Sequence, residues 1–455
     1  MPSVERLFRH RNIANRAGWS NIPLMTTATS SGAPAEVPAA PRFRITSIDA
    51  LRGLVMFTMI FVNDLAGAPR ELVPDWMVHF SERHPEGASG MTFVDMVFPG
   101  FLFIVGMSIP FALGSRPLQG IALGKTIFHI LTRTLSLLLI GILMVNESPN
   151  TKAMGWSATV WVALLYLSAI FAFCEISPAR RPAEGTAPNP LWRWLSWLLR
   201  AGGLAMLVWL AFAFRGKHDR HIITLQPFSI HHDWYGILGL IGWAYLVGAL
   251  VFLLFRGHRT ALLGCVALLF CFYPADKNGV FDHFWLSRFV DLGGTLGSQA
   301  AITVSGILLA SILRDPVLAM AARIRFTLLF IAGYAAAALL IPGLYGISKN
   351  DATPAWCLWS CAITATFWLV FYLLADVRRV TVLTKPFAIA GQNVLLAYLI
   401  SEGSESFLNL LHLGDWYDHL VETSLAGACA RSAGLGIFIL TLTALLNRLG
   451  FRLKL

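Results

Sequence analysis

Two histidines, His79 and His84, lie in the stretch HFSERHPEGASGMTFVDMVFPG, and Asp95 follows about one turn inside an apolar run. Imidazole changes charge near neutral pH, so either ring has the chemistry of a general base or a nucleophile. A carboxylate within a membrane span is costly unless it is paired or faces a cavity. Asp95 therefore suits the task of orienting a histidine or pairing with an arginine. It also fits the positive end of a helix dipole, a purely structural role. Pro99 removes a backbone donor, which predicts a carbonyl left facing an internal pocket. Taken alone, a loop histidine is most simply a solvated polar residue.

Three other stretches carry polar groups at span ends. In RITSIDALRGLVMFTMIFVNDLAG, Thr46 and Asp49 have the spacing of a capping box, and Asp49 and Arg52 can pair on one helix face. Arg52 could instead dock a phosphate-bearing ligand. Asn63 and Asp64 end this run, and Asn63 is a candidate donor to a tetrahedral oxyanion. In YGISKNDATPAWCLWS, Lys349 and Asn350 precede a helix that Pro354 starts. They read either as a solvated turn or as a binding site for an anionic or hydroxylated acceptor. In PFAIAGQNVLLAYLISEGSE, Gln392, Asn393 and Tyr398 are polar groups inside a span. Such groups usually glue helices together, and they can also line a tunnel. Glu402 and Glu405 follow, three apart.

The elements that must position these groups are membrane helices. The chain has 455 residues, 56% of them hydrophobic and 13% charged, with a mean hydropathy of +0.64. This composition excludes an ordinary soluble enzyme and predicts an all-α polytopic bundle of 11–12 spans. The apolar windows are 48–66, 93–114, 126–146, 157–176, 195–214, 235–255, 259–275, 293–313, 326–346, 355–375, 386–410 and 427–447. Residues 1–43 are basic and then rich in Ser, Thr, Ala and Pro, and are expected to form a disordered cytosolic tail. Residues 44–455 are expected to form one membrane domain.

Of the 35 Lys and Arg residues, 25 fall in the tail, the even-numbered connections and the C-terminal end, counting nearby helix ends such as Arg52, Arg133 and Arg200. Both ends are therefore expected to face the cytoplasm. Nine of the twelve histidines, His218 and His232 among them, fall in the opposite loops. The net charge of +10 is spread along the chain, which marks topology and argues against nucleic acid. The six cysteines form no CxxC pair, and no zinc motif or Walker A sequence appears. No metal is expected.

The segments SIDALRG, MIFVND, GMTFVDMVFPGFLFIVGMSIP, DWYGILGLIGWAYL, KNDATPAWCLWS and GQNVLLAY, in that order, resemble the heparan-alpha-glucosaminide N-acetyltransferase family, particularly its bacterial relatives. The resemblance runs from about Arg44 to the end. It implies a transmembrane acetyltransferase that takes acetyl from cytosolic acetyl-CoA and delivers it to an amino sugar or glycan on the far side. It also implies an active histidine in the first outward loop and an asparagine upstream, matching Asn63. His79 and His84 both remain candidates for that histidine. The loop is longer than in the lysosomal enzyme and lacks its tryptophan between the histidine and the glycine.

Acetyl-CoA is a polyanion, so its phosphates are expected at the cytosolic rim, near Arg44, Arg52 or Arg133, with Asn393 along the path of its arm. Lys349, Asn350 and Glu402 are the candidate acceptor contacts. The expected partners are a lipid bilayer, the glycan acceptor and a second copy of the chain. The expected location is a bacterial inner membrane. The rival reading is a secondary transporter or a lipid or glycan flippase without CoA chemistry.

Overall fold

A computed structural model describes residues 45–114, 120–146, 149–177, 190–217, 220–225, 228–231, 234–382, 384–421 and 424–455. The expected tail, Arg44, His218 and His232 lie outside these residues.

Twelve long helices among the described residues overlap the twelve apolar windows. They are α1 (Thr46–Leu65), α2 (Val97–Leu113), α3 (Gly120–Met144), α4 (Ala158–Ala172), α5 (Pro190–Ala213), α6 (Gly236–Phe255), α7 (Arg259–Lys277), α8 (Ala300–Leu313), α9 (Met320–Leu340), α10 (Pro354–Phe371), α11 (Val394–Leu410) and α12 (Leu425–Arg448). A π-helical stretch, Leu292–Gln299, leads into α8, and another, Tyr372–Val377, extends α10. Nine helices among the described residues are long and apolar enough to cross a bilayer. The other three are α1, with its polar ends, and the shorter α4 and α11. The protein is an all-α polytopic integral membrane protein.

Burial separates inner from outer helices. In the span containing α8, 89% of the most apolar window is buried, and in that containing α2, 72%. For α5, α7 and α9 the figure is 22%. Leucine and phenylalanine on those three helices face outward (Leu198, Leu263, Leu329), where lipid replaces protein as the apolar neighbour. The crossing of α2 and α8 is close because Gly106 lies against the Thr303 carbonyl and Gly306 against the Phe103 carbonyl. A methyl group at either glycine would collide with backbone.

Two local expectations need correction. The start of α1 has no side-chain cap from Thr46. Its N-cap is Ile45, and the amides of Thr46 and Ser47 donate instead to Asp376 at 3.2 and 3.1 Å. The cap comes from 330 residues away in sequence, so only the packing of the π-helical end of α10 could reveal it. Pro99 lies in the first turn of α2, and the carbonyl four residues before it, that of Asp95, does not face an open pocket but accepts from Trp356 Nε1.

The window 386–410 is also not one helix. A short helix, Lys385–Ala390, stops at Gly391, and α11 starts at Val394. Gly391 meets the Asp49 carbonyl, and Gly53 meets the Phe387 carbonyl. These reciprocal approaches lock the break against α1. Irregular backbone at this depth is tolerated where it is buried in protein or lines a cavity, and the broken segment lines one.

Candidate functional site

The first loop is folded around Asp95. Its carboxylate is 2% exposed, a position that demands full pairing. Oδ1 lies 2.7 Å from His79 Nδ1. Oδ2 accepts from the amides of Phe80 at 3.1 Å and Thr92 at 3.0 Å. The backbone carbonyl of Asp95 accepts from Trp356 Nε1 at 3.2 Å. Thr92 Oγ donates to the Val78 carbonyl at 2.7 Å, which fixes the strand-like approach to His79. His79 is the residue immediately before a one-turn helix, Phe80–Arg83, and its ring is 28% exposed. A carboxylate on Nδ1 selects the tautomer with the proton on Nδ1, which leaves the Nε2 lone pair for chemistry.

Lys349 comes to the same place from the far side of the sequence. Its Nζ stands 3.1 Å from Nδ1 and 3.2 Å from Nε2 of His79, and 4.0 Å from Asp95 Oδ1. The approach is built by two backbone links: Gly90 N donates to the Ile347 carbonyl, and Ile347 N donates to Ser89 Oγ. A closed turn follows, in which Ser348 N donates to Thr353 Oγ and Thr353 N to the Ser348 carbonyl. Burial pushes the Lys349 ammonium below its ordinary range, while the Asp95 and Glu82 carboxylates pull it back up. Asp95, Lys349, Asn350 and His84 line one cavity of about 290 Å³ at this end of the bundle.

His84 stands differently from His79. Its ring stacks on Phe80 at 3.8 Å between centroids, and its Nδ1 pairs with the Phe80 carbonyl at 3.1 Å. Among the described residues no carboxylate is bonded to it. Asn63 is not part of the His79 cluster. Its amide donates to Glu402 at 3.1 Å, and it borders a separate cavity with Glu405 and Tyr417. Next to it, Asp64 is tied to Arg431, Ser432 and Tyr417. This knot holds the ends of α1 and α12 together.

At the opposite end of α2 lies a second cavity of about 420 Å³, lined by Arg52, Arg133, His129 and Asn393, among others. Arg52 pairs with Asp49 at 3.1 Å, as its spacing predicts, and also donates to the Gly391 carbonyl and to Ser108 Oγ. Arg133 stacks on the Tyr245 ring at 4.6 Å. Its Nε is buried without a hydrogen-bond partner among the described residues, which leaves a donor for an anion. Asn393 serves the wall of this cavity. Its amide donates to the Phe451 carbonyl, and its oxygen accepts from Leu453 N. It thereby pins the strand Phe451–Leu453, which pairs antiparallel with Cys174–Ile176. Gln392, which the sequence left as either helix glue or tunnel lining, borders the same cavity. His129 and Lys454 also line it and carried no signal in the sequence beyond their charge. Along α2 the lining runs from Leu113 up to Phe101. Asp95 is six residues further, about 9 Å at the helical rise. Buried Val97 and Phe98 occupy that interval. Among the described residues no group of three His, Cys, Asp or Glu stands together as a metal site.

Residues 44–174 match a family described as a domain of unknown function, DUF5009. That range contains Asn63, His79, Asp95, Arg52 and Arg133, and excludes Lys349, Asn393 and Glu402. The chain is similar to heparan-alpha-glucosaminide N-acetyltransferase of Homo sapiens, with 30% identity over 113 residues, 25% of this chain and 15% of that protein. It is also similar to the protein of the same name from Mus musculus, with 31% identity over 113 residues, 25% of this chain and 16% of that protein. The match thus spans under a fifth of each relative. Together these similarities support a distant relationship to that family.

Proposed function

We propose that this protein is a transmembrane acetyltransferase that passes acetyl from acetyl-CoA, bound at the Arg52 end of α2, to an amino sugar or glycan acceptor at the His79 end. The observation that carries this reading is the pair of cavities along one helix. One is basic and holds Arg52 and Arg133. The other holds Asp95 and Lys349 beside the Asp95-paired imidazole of His79. The bulky polyanion needs to enter only the first. Its thioester must advance the remaining 9 Å or so along α2, less than two turns. The excess of Lys and Arg on the Arg52 side supports a cytoplasmic position for that cavity and for both chain ends. The bacterial inner membrane remains the assignment that the segment resemblance favours, and the acceptor is an amine or hydroxyl of a sugar.

His79 is the reacting base or nucleophile of this proposal, and Asp95 holds its ring. In the covalent route, Nε2 attacks the thioester carbonyl and expels CoA as a thiolate. The acetyl-imidazole then passes its acetyl group to the acceptor. In the direct route, Nε2 removes the acceptor proton while the acceptor attacks the thioester. Radiolabelled acetyl retained on the protein without acceptor identifies the covalent route, and its absence with full turnover identifies the direct one.

The test is thiol release from acetyl-CoA by the purified protein with glucosamine added, for the native chain and for His79→Ala. Acceptor-dependent release that His79→Ala abolishes supports the proposal. Native protein that releases no thiol, yet drives gradient-dependent solute uptake in sealed vesicles, would falsify it in favour of a transporter.

A further inference from the structure

The position of Lys349 over the His79 ring has a consequence beyond acceptor binding. An ammonium bonded to one ring nitrogen's lone pair would lie in the ring plane, clearly nearer to that nitrogen. Lys349 Nζ is almost equidistant, at 3.1 and 3.2 Å, so it stands over the ring and leaves the in-plane Nε2 lone pair unblocked. We propose that Lys349 is a catalytic residue of this site, whose ammonium donates a hydrogen bond to the acyl carbonyl oxygen as that oxygen becomes an oxyanion. This rests on the acetyl-transfer reading above and assigns the oxyanion donor within it.

Distance supports the role. A carbonyl carbon that bonds to Nε2 carries its oxygen two bonds from that nitrogen. From a starting point 3.2 Å off Nε2, Nζ needs only a small rotation of its stem to reach the donor distance of about 2.7–3.1 Å. Asn63, the donor expected from sequence, is bonded to Glu402 and borders another cavity, which leaves the donor role at His79 open. The placement is also held firmly: the Gly90–Ile347 and Ser89–Ile347 links and the Ser348–Thr353 turn fix the backbone of Lys349 on both sides. A solvated turn would need none of them.

The chemistry balances without another reactant. In the covalent route, Nε2 supplies the electron pair for the new C–N bond, and the carbonyl π pair moves onto oxygen. Lys349 donates a hydrogen bond to that oxygen and keeps its proton. Collapse restores the C=O bond and breaks C–S, and CoA leaves with the pair as thiolate. In the direct route the acceptor supplies the electron pair, its proton goes to Nε2, and the oxyanion meets the same donor.

The experiment compares Lys349→Met and Lys349→Arg with the native chain in the thiol-release assay. CoA binding measured by calorimetry checks that each variant is folded. The expected result for Lys349→Met is a kcat lower by about 10²–10³, the typical cost of losing one oxyanion donor, with both KM values and CoA affinity nearly unchanged. Lys349→Arg keeps a cation and is expected to recover part of the rate.

A second readout is the alkaline limb of kcat. The titratable groups near Lys349 are His79, Asp95 and Glu82, with His84, Glu86 and Asp351 on the same cavity. Burial lowers the range in which Lys349 keeps its proton, so native activity is expected to fall below the ordinary lysine value of 10.5 as pH rises. In Lys349→Arg that fall moves to higher pH, because guanidinium holds its proton. A folded Lys349→Met with native kcat overturns the inference, as does one whose only defect is a raised acceptor KM, which would make Lys349 a binding residue. A native chain without thiol release instead defeats the acetyl-transfer reading itself, so the two failures are distinguishable.

Discussion

Replacement of Asp95 by Asn tests how the imidazole is held, and its effect can be worked from the hydrogen bonds. The carboxylate accepts on both oxygens: from His79 Nδ1 on one, and from the Phe80 and Thr92 amides on the other. An amide has one acceptor and one donor end. With its NH₂ toward Phe80 and Thr92, two part-buried backbone donors lose their partner at about 1–3 kcal/mol each. With its oxygen toward them, both bonds survive and the NH₂ faces His79. The second orientation wins by roughly 2–6 kcal/mol, more than the single bond to the ring can oppose. An NH₂ facing Nδ1 demands a lone pair there, which moves the ring proton to Nε2 and removes the reacting lone pair. The side chain barely changes shape, yet kcat is expected to drop by about 10⁴, the size of the same aspartate-to-asparagine effect in a Ser-His-Asp triad. Loss of the charge-assisted bond is expected to cost about 1.5–3 kcal/mol of stability. The assay is saturated thiol release beside a thermal unfolding curve. If Asp95→Asn stays within about tenfold of native turnover, a barrier change under about 1.4 kcal/mol, Asp95 does not set the tautomer and the reasoning fails.

His84→Ala is expected to keep kcat within about threefold, under about 1 kcal/mol of barrier, because that ring is engaged with Phe80; a thousandfold loss would transfer the reacting role to it. Arg133→Gln is expected to raise the KM for acetyl-CoA about tenfold at unchanged kcat, the pattern of lost uniform binding, and the effect should shrink in high salt. Asp376→Ala should lower stability by about 0.5–2 kcal/mol by leaving the start of α1 uncapped, with KM values unchanged; a normal melting curve would show that this long-range cap contributes nothing.

Sequence alone located the apolar segments from which the helices form, since a run of apolar residues long enough to cross lipid reads out residue by residue, but it did not show the break at Gly391. It also determined the Asp49–Arg52 pair, because residues three apart on a helix meet whatever surrounds them. It also singled out the candidate groups, His79 and Asp95 at one end and Arg52 and Arg133 at the other. Tertiary structure decided which of these groups meet. That Asp95 pairs with His79 and not with His84 depended on where its carboxylate points, which the Phe80 and Thr92 amides hold. Bringing Lys349 over the ring depended on Gly90 meeting Ile347 across more than 250 residues. Asn63 went to Glu402, Asp376 to the start of α1, and Asn393 to the strand Phe451–Leu453. Hydropathy is a local sum, whereas a polar group buried among helices must take whichever partner the packing brings within hydrogen-bond reach, and that partner is fixed by the crossing of distant segments.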